Sequence, residues 1–274
     1  MPYEFATLER RPSDHVAIIT MNRPEVLNAL HPPAARELSS IWDEFAADPD
    51  LWVAILTGAG NRGFSAGNDL KYVPEPDDPG LPSTGWGGFL LRFDLWKPTI
   101  AAVNGWAMGG GMEMAVACDI VVASETARFG LPEVRLGGVA SESGGAHRLP
   151  RQVPMKLAMG ILLTGDAIDA QEAYRAGIVN EVVPPEQLLP AAERWAARIV
   201  RAAPLAVRAT KEAAALGAAL PLDAAMLRSY PAIERAKSSE DIQEQRRAVA
   251  EAALADLAAT TGKRQCLPFY LQGI

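Results

Sequence analysis

The sequence predicts an α/β fold with a parallel sheet at its core and a helical C-terminal part. Short, apolar, largely β-branched runs alternate with segments of helical period, and the chain changes character after Arg148, becoming helical and finally alanine-rich. Strands that alternate with helices pair in parallel through right-handed crossovers.

Residues 16–21 are mostly apolar and β-branched and end at Asn22-Arg23-Pro24, so they read as a buried strand entering a loop. Residues 33–47 place Leu38, Ile41, Trp42 and Phe45 at helical spacing, and Asp48-Pro49-Asp50 stops the helix. Residues 51–57 form a second strand that runs into the glycine-rich stretch 58–63. Residues 74–88 are rich in proline and glycine and lack both hydrophobic periods, which predicts a mobile surface excursion able to cover a site. Residues 99–103 give a third strand, 109–117 a short helix and 120–123 a fourth strand. Beyond Arg148, residues 154–163, 169–176 and 185–202 read as helices, with a short strand at 178–183. Residues 204–259 are alanine-rich yet amphipathic, as in Leu222, Met226 and Ile233, and read as helical.

Composition narrows the functional classes. Of 274 residues, 49% are hydrophobic and 22% charged, ordinary for a soluble protein with a large core. The 33 acidic and 26 basic residues leave a net charge of −7, which argues against a broad surface for nucleic acid or an anionic membrane. Cys118 and Cys266 make no disulfide framework, and the N-terminus shows no basic region followed by an apolar run. A reduced, cytoplasmic protein without membrane spans is expected. His15, His31 and His147 are scattered without ligand spacing, so no metal site is expected.

Two stretches could carry chemistry. Phe64-Ser65-Ala66-Gly67-Asn68-Asp69-Leu70 follows a strand through a glycine-rich turn, where amides without sheet partners can bind an anion. The plain alternative is a tight turn with Asp69 capping the next helix. Asn104 to Glu113 joins a strand to a helix through Gly109-Gly110-Gly111. Amides at such a helix start favour a developing oxyanion, although close strand-to-helix packing also calls for glycine. Glu113 falls in the first helical turn, where the dipole alone would favour it. Its neighbours Met112, Met114, Ala115 and Val116 are apolar, so an inward-facing Glu113 would be desolvated, its pKa raised toward general acid–base use. Glu133 follows Pro132, which fixes the approach of a second carboxylate; in isolation it reads as a solvated loop charge.

Together these residues closely resemble the crotonase family, the enoyl-CoA hydratases and isomerases. Thr99 to Gly105, the glycine triplet, Glu113, Cys118-Asp119-Ile120 and Phe129-Gly130-Leu131-Pro132-Glu133 carry the resemblance, which runs from Asn22-Arg23-Pro24 through Leu163-Thr164-Gly165 and Ala206 to Lys211 as far as Ser239-Glu240-Asp241. It implies a ββα spiral core over residues 1–200 with a coenzyme A thioester site. Residues 201–274 would form a helical trimerisation region that also covers part of the site. A homotrimer or dimer of trimers is implied, with no cofactor beyond the coenzyme A of the substrate. The amides of Asn68 and Gly110 would form an oxyanion hole, with Glu113 activating water at Cβ and Glu133 delivering a proton to Cα. Val26, Leu27, Ala29, Ala66, Gly67, Asp69, Leu70 and Gly109 would contact substrate or coenzyme A, and Lys71 would approach its phosphates.

The 64–71 motif and Gly145-Ala146-His147-Arg148-Leu149-Pro150 resemble the carnitinyl-CoA dehydratase-like branch. Glu142 adds a third carboxylate that is either near the substrate or solvent-facing. Beyond residue 241, Gln245, Val249 and the terminal Gln265 to Leu271 depart from the family pattern. Enoyl-CoA hydration is the leading reading. An enoyl-CoA isomerase, a dehydratase of a substituted acyl-CoA and a catalytically silent acyl-CoA-binding scaffold are the alternatives.

Overall fold

The computed structural model describes residues 3–141 and 143–239, with 247 and 251. The chain divides into two compact units, residues 1–207 and 208–274. Strands of the described residues are β1 (Ala6–Arg11), β2 (Val16–Met21), β3 (Val53–Gly58), β4 (Gly63–Ser65), β5 (Thr99–Val103), β6 (Trp106–Met108), β7 (Ile120–Ser124), β8 (Arg128–Gly130), β9 (Ile168–Asp169) and β10 (Glu181–Val183). The helices are α1 (Pro32–Ala47), α2 (Gly110–Ala117), α3 (Gly145–Gln152), α4 (Met155–Thr164), α5 (Ala170–Arg175), α6 (Leu188–Val200), α7 (Pro204–Gly217), α8 (Leu222–Leu227) and α9 (Pro231–Lys237).

In the first unit, a six-stranded sheet has the order β1-β2-β3-β5-β7-β10, parallel from β2 onward with β1 antiparallel at the edge. Side chains on a strand alternate between faces, and both faces of this sheet are covered. Ile19, Leu56 and Val103 pack in one cluster with Leu38, Ile41, Trp42 and Phe45 of α1. Ile18, Ile55 and Ile100 pack in the other with Leu188, Ala191, Ala192 and Ala196 of α6. Burial on both sides is why these strands are continuous apolar runs.

A second, four-stranded sheet has the order β4-β6-β8-β9. The chain crosses from the large sheet to the small one three times, β3 to β4, β5 to β6 and β7 to β8, which is the ββα spiral. Because β4 and β6 are parallel neighbours, with Ser65 opposite Ala107, the loops that follow them emerge side by side. That places residues 66–68 against residues 109–110.

Several local expectations change. The three-residue strands β4, β6 and β8 are too short to show a period of two, and β1 alternates too weakly to stand out. The 74–88 segment is anchored at both ends: Asp78 pairs with Arg36, and Trp42 Nε1–H donates to Gly87 O at 3.2 Å. Helix α3 extends through Pro150. The helical run expected over 204–259 is interrupted at 218–221 and 228–230. Glu142, Glu240, Asp241, Gln245, Val249 and the terminal segment lie outside the described residues. Among the described residues, no helix is long and apolar enough to cross a membrane.

Candidate active site

The loop after β4 is held by its backbone. Ala66 N–H donates to Leu27 O at 2.9 Å, Leu30 N–H to Gly67 O at 2.7 Å, and Asp69 N–H to Leu30 O at 2.7 Å. Leu30 and Asn68 thus form a parallel bridge. In this pattern Leu30 bonds the residues on either side of Asn68, so the N–H of Asn68 points away from Leu30. Gly67 has φ +81°, and a Cβ there would lie 2.6 Å from Met108 O and 3.0 Å from Gly110 N. Only glycine permits this approach, which sets Asn68 beside the start of α2.

Gly109 caps α2 with φ 52° and ψ −124°, and Gly110 is the first helical residue. Gly109 N–H donates to Gly130 O at 2.9 Å, and Gly109 O accepts from Glu113 N–H at 2.9 Å. Among the described residues, neither the Asn68 nor the Gly110 N–H meets an acceptor. Two unpaired donors, one backed by the positive end of a helix, frame a site for negative charge.

Asn68, Gly110, Glu113 and Glu133 line one cavity of about 140 Å³, with Ala66, Leu70, Gly109, Pro132, Leu136, Val139, Ala140, Ser141 and Ser143. Glu113 projects from α2 and is 3% exposed. Its Oε1 accepts the N–H of Gly145, the first residue of α3, at 2.7 Å. Burial pushes Glu113 up to about 7; the Glu133 charge adds to the rise, while the Gly145 amide, the Ser143 hydroxyl and the Arg148 guanidinium oppose it.

Glu133 sits in a 3₁₀ turn, Pro132–Leu136, with proline fixing its entry. Burial raises its pKa against the opposing pull of its own backbone amide. Its Oε2 is buried and has no hydrogen-bond partner among the described residues. Oε1 lies 3.0 Å from where a Gly109 Cβ would stand, so the turn closes directly over the glycine of the opposite wall. An unpaired carboxylate oxygen in a cavity is available to a proton or to water.

The expected catalytic pair and amide pair therefore share one cavity with Ala66, Leu70 and Gly109. Gly67 does not line it but packs against Gly109 and Gly110, which do. Val26, Leu27, Ala29, Asp69 and Lys71 do not line it. Leu27 backs the loop through its bond to Ala66, and Ala29 is buried. Asp69 pairs with Arg23 at 2.9 Å and accepts Lys71 N–H at 3.1 Å. Val26 and Lys71 are exposed. Sequence reasoning gave no role to Ser143, Gly145 or Arg148; Gly145 and Arg148 entered above only through the branch resemblance of residues 145–150. Among the described residues, no group of three His, Cys, Asp or Glu stands ready for a metal ion.

A ββα spiral whose successive turns bring two unpaired amides and two glutamates to one cavity has the architecture of the crotonase fold. The chain belongs to the enoyl-CoA hydratase/isomerase family, whose model matches residues 11–256. It is similar to an (E)-benzylidenesuccinyl-CoA hydratase from Thauera aromatica, at 44% identity over 240 residues, covering 85% of this chain and 91% of the relative. A carnitinyl-CoA dehydratase from Citrobacter koseri is 40% identical over 242 residues, with 85% and 91% covered. Among solved structures, an enoyl-CoA hydratase from Mycobacterium marinum superposes with a TM-score of 0.83 at 38% identity, covering 90% of this chain and 96% of that one.

Proposed function

We propose that this protein is a hydro-lyase that reversibly adds water across the α,β double bond of a trans-2-enoyl-CoA thioester. The observation that carries the reading is the meeting of two unpaired amides and two carboxylates of raised pKa in one cavity. The thioester oxygen accepts from the Asn68 and Gly110 amides. Glu113, poised near neutral pH, removes a proton from water as the oxygen attacks Cβ. The C=C electrons move to give an enolate whose charge rests on the thioester oxygen, and Glu133, whose pKa burial raises, supplies the proton to Cα from its acid form. Elimination runs the same steps backward. The amides lower the barrier because they are aimed in advance at the place where charge develops.

The coenzyme A portion leaves the cavity past Ala66 toward Val26, Leu27 and Ala29, with the exposed Lys71 within reach of its phosphates. The working form is a homotrimer or a dimer of trimers in the cytoplasm; the exposed Leu222, Met226 and Leu227 of α8 supply apolar surface for assembly. The solution mass, three or six times that of one chain, tests this.

Loss of conjugated-thioester absorbance from crotonyl-CoA, with Glu113→Gln and Glu133→Gln alongside, tests the activity. Rapid loss in the wild type and none in either variant is expected. Unchanged absorbance despite binding of the thioester would overturn simple hydration. A second reading, dehydration of a β-substituted acyl-CoA, has its own support: two of the relatives are named for benzylidenesuccinyl-CoA and carnitinyl-CoA, and the cavity carries the exposed Leu70, Leu136 and Val139. Product analysis separates these from Δ3,Δ2 isomerisation.

A further inference from the structure

Arg148 is a half-buried cation on α3 that the chemistry above does not use. Its Nη1 donates to Ser143 O at 2.8 Å and its Nη2 to Leu90 O at 2.6 Å. Both acceptors are neutral carbonyls. Gly144 lies directly against the guanidinium, since a Cβ there would stand 2.3 Å from Nη1. Arg148 thereby ties together the Leu90 segment, the loop at 143–144 and its own helix. The next residue of that loop is Gly145, whose N–H holds Glu113 Oε1 at 2.7 Å.

Arg148 also lies near enough for its charge to act on Glu113. Among the described residues, Glu113 is the one anion whose charge acts on it appreciably, and Arg92, on the neighbouring segment, is engaged with Asp43 and Asp94. The groups that face Glu113 are Glu133 from the Pro132–Leu136 turn, the Ser143 hydroxyl and Gly145 amide from the loop, and Arg148 from α3. Its neighbours on α2, Met112 and Met114, are apolar. Removing Arg148 leaves Glu113 with Glu133 as its charged neighbour and with a loop no longer fastened at Ser143.

We propose that Arg148 is a positioning residue for Glu113: it fixes the 143–145 loop so that the Gly145 amide meets the carboxylate, and it sets a positive charge behind that contact. The proposal rests on the reading of Glu113 as the group that activates water.

The test uses Arg148→Met and Arg148→Lys in the full chain, with two readouts. One is the pH dependence of kcat/KM for crotonyl-CoA hydration. The other is a ¹³C NMR titration of Glu113 in the substrate-free protein, labelled at glutamate Cδ and assigned by Glu113→Gln. Without the positive charge, ionisation of Glu113 becomes harder, so in Arg148→Met the acidic limb moves up by about one pH unit. The rate at pH 7 then falls severalfold and recovers toward pH 9, while Arg148→Lys keeps the limb close to its wild-type position. A uniform rate loss at every pH, with the Glu113 titration unmoved in Arg148→Met, would reduce Arg148 to a structural tie and overturn the proposal. If Arg148→Met does not fold, Arg148→Gln, polar and uncharged, is judged by the same two readouts. Absence of hydration by the wild type would sink the proposed activity instead, and the titration, which needs no substrate, would still decide the role of Arg148.

Discussion

The two walls of the cavity are built on opposite principles. One wall, residues 66–68 with 109–110, presents main-chain N–H groups, and its side chains matter mainly by being absent at Gly67 and Gly109. The other, Glu113 and Glu133 with the 143–145 loop, presents side-chain carboxylates, each displaced from its ordinary pKa by burial. The amide wall should therefore tolerate side-chain replacement and fail when an N–H is lost. The carboxylate wall should fail when a single oxygen is exchanged.

The largest effects are expected on the carboxylate wall. Glu113→Gln and Glu133→Gln keep shape and remove proton transfer, which is worth about 10²–10⁴-fold, read in kcat for crotonyl-CoA. A variant that retains more than about a tenth of wild-type activity would put that glutamate outside the proton path. On the amide wall, Gly110→Pro removes one donor at the first helical position, where proline is well tolerated. Its Cβ would stand 3.4 Å from Asn68 Oδ1 and Leu30 Cδ1, ordinary contact. A loss of about 10²–10³-fold in kcat with unchanged circular dichroism is expected; full activity would show that this amide does not hold the oxyanion.

The two walls also differ in what the sequence reveals. Strands β2, β3, β5 and β7 are buried on both faces and so declare themselves as apolar runs. On the amide wall, the strand, glycines and helix that follow one another from Asn104 to Glu113 left packing and anion binding equally open, and only the family resemblance singled out the amides. The apolar neighbours of Glu113 suggested burial only if it faced inward, and Glu133 read alone as a solvated loop charge; the resemblance paired them. What completes the carboxylate wall was not legible: Gly145 meets Glu113 across a separation of 32 residues. Asp69, expected at the ligand, instead pairs with Arg23 across a separation of 46. Contacts of that kind depend on how the spiral brings its turns together, which no local pattern encodes. Glycine at 67 was read as a tight turn or an amide-lined loop, and its second function, admitting Met108 O and Gly110 N, becomes visible only once β4 and β6 are side by side.

A smaller effect concerns stability, and it belongs to the carboxylate wall alone. Glu113 is pushed from 4.5 up to about 7, so between those values the folded protein binds more protons at this group than the unfolded chain does. Its contribution is fully present below 4.5 and is lost as pH rises through about 7. At about 1.4 kcal/mol for each tenfold change in protons, the ionised carboxylate costs about 3 kcal/mol at pH 8. Glu113→Gln is neutral at every pH and should therefore melt several degrees above wild type at pH 8, with the gap closing toward pH 4.5. Equal melting temperatures at pH 8 would mean that Glu113 ionises without this penalty.

The smallest effect is the one that separates the walls most sharply. Asn68 is exposed, and its side chain makes no hydrogen bond among the described residues; what faces the thioester oxygen in the proposed mechanism is its backbone N–H. Asn68→Ala leaves that N–H and the Leu30 bridge in place, so kcat for crotonyl-CoA should stay within about threefold of wild type, a difference below roughly 1 kcal/mol in barrier. The two bonds that orient the amide come from Gly67 O and Asp69 N–H, and neither involves the Asn68 side chain. A loss as large as that of Gly110→Pro would show that the carboxamide itself touches the substrate, and the amide wall would then join the carboxylate wall in reading side-chain chemistry. Should the loss appear only with a substrate bearing a polar group at Cβ, Asn68 would be the residue that selects the substituent, and the comparison between the walls would hold for catalysis while failing for specificity.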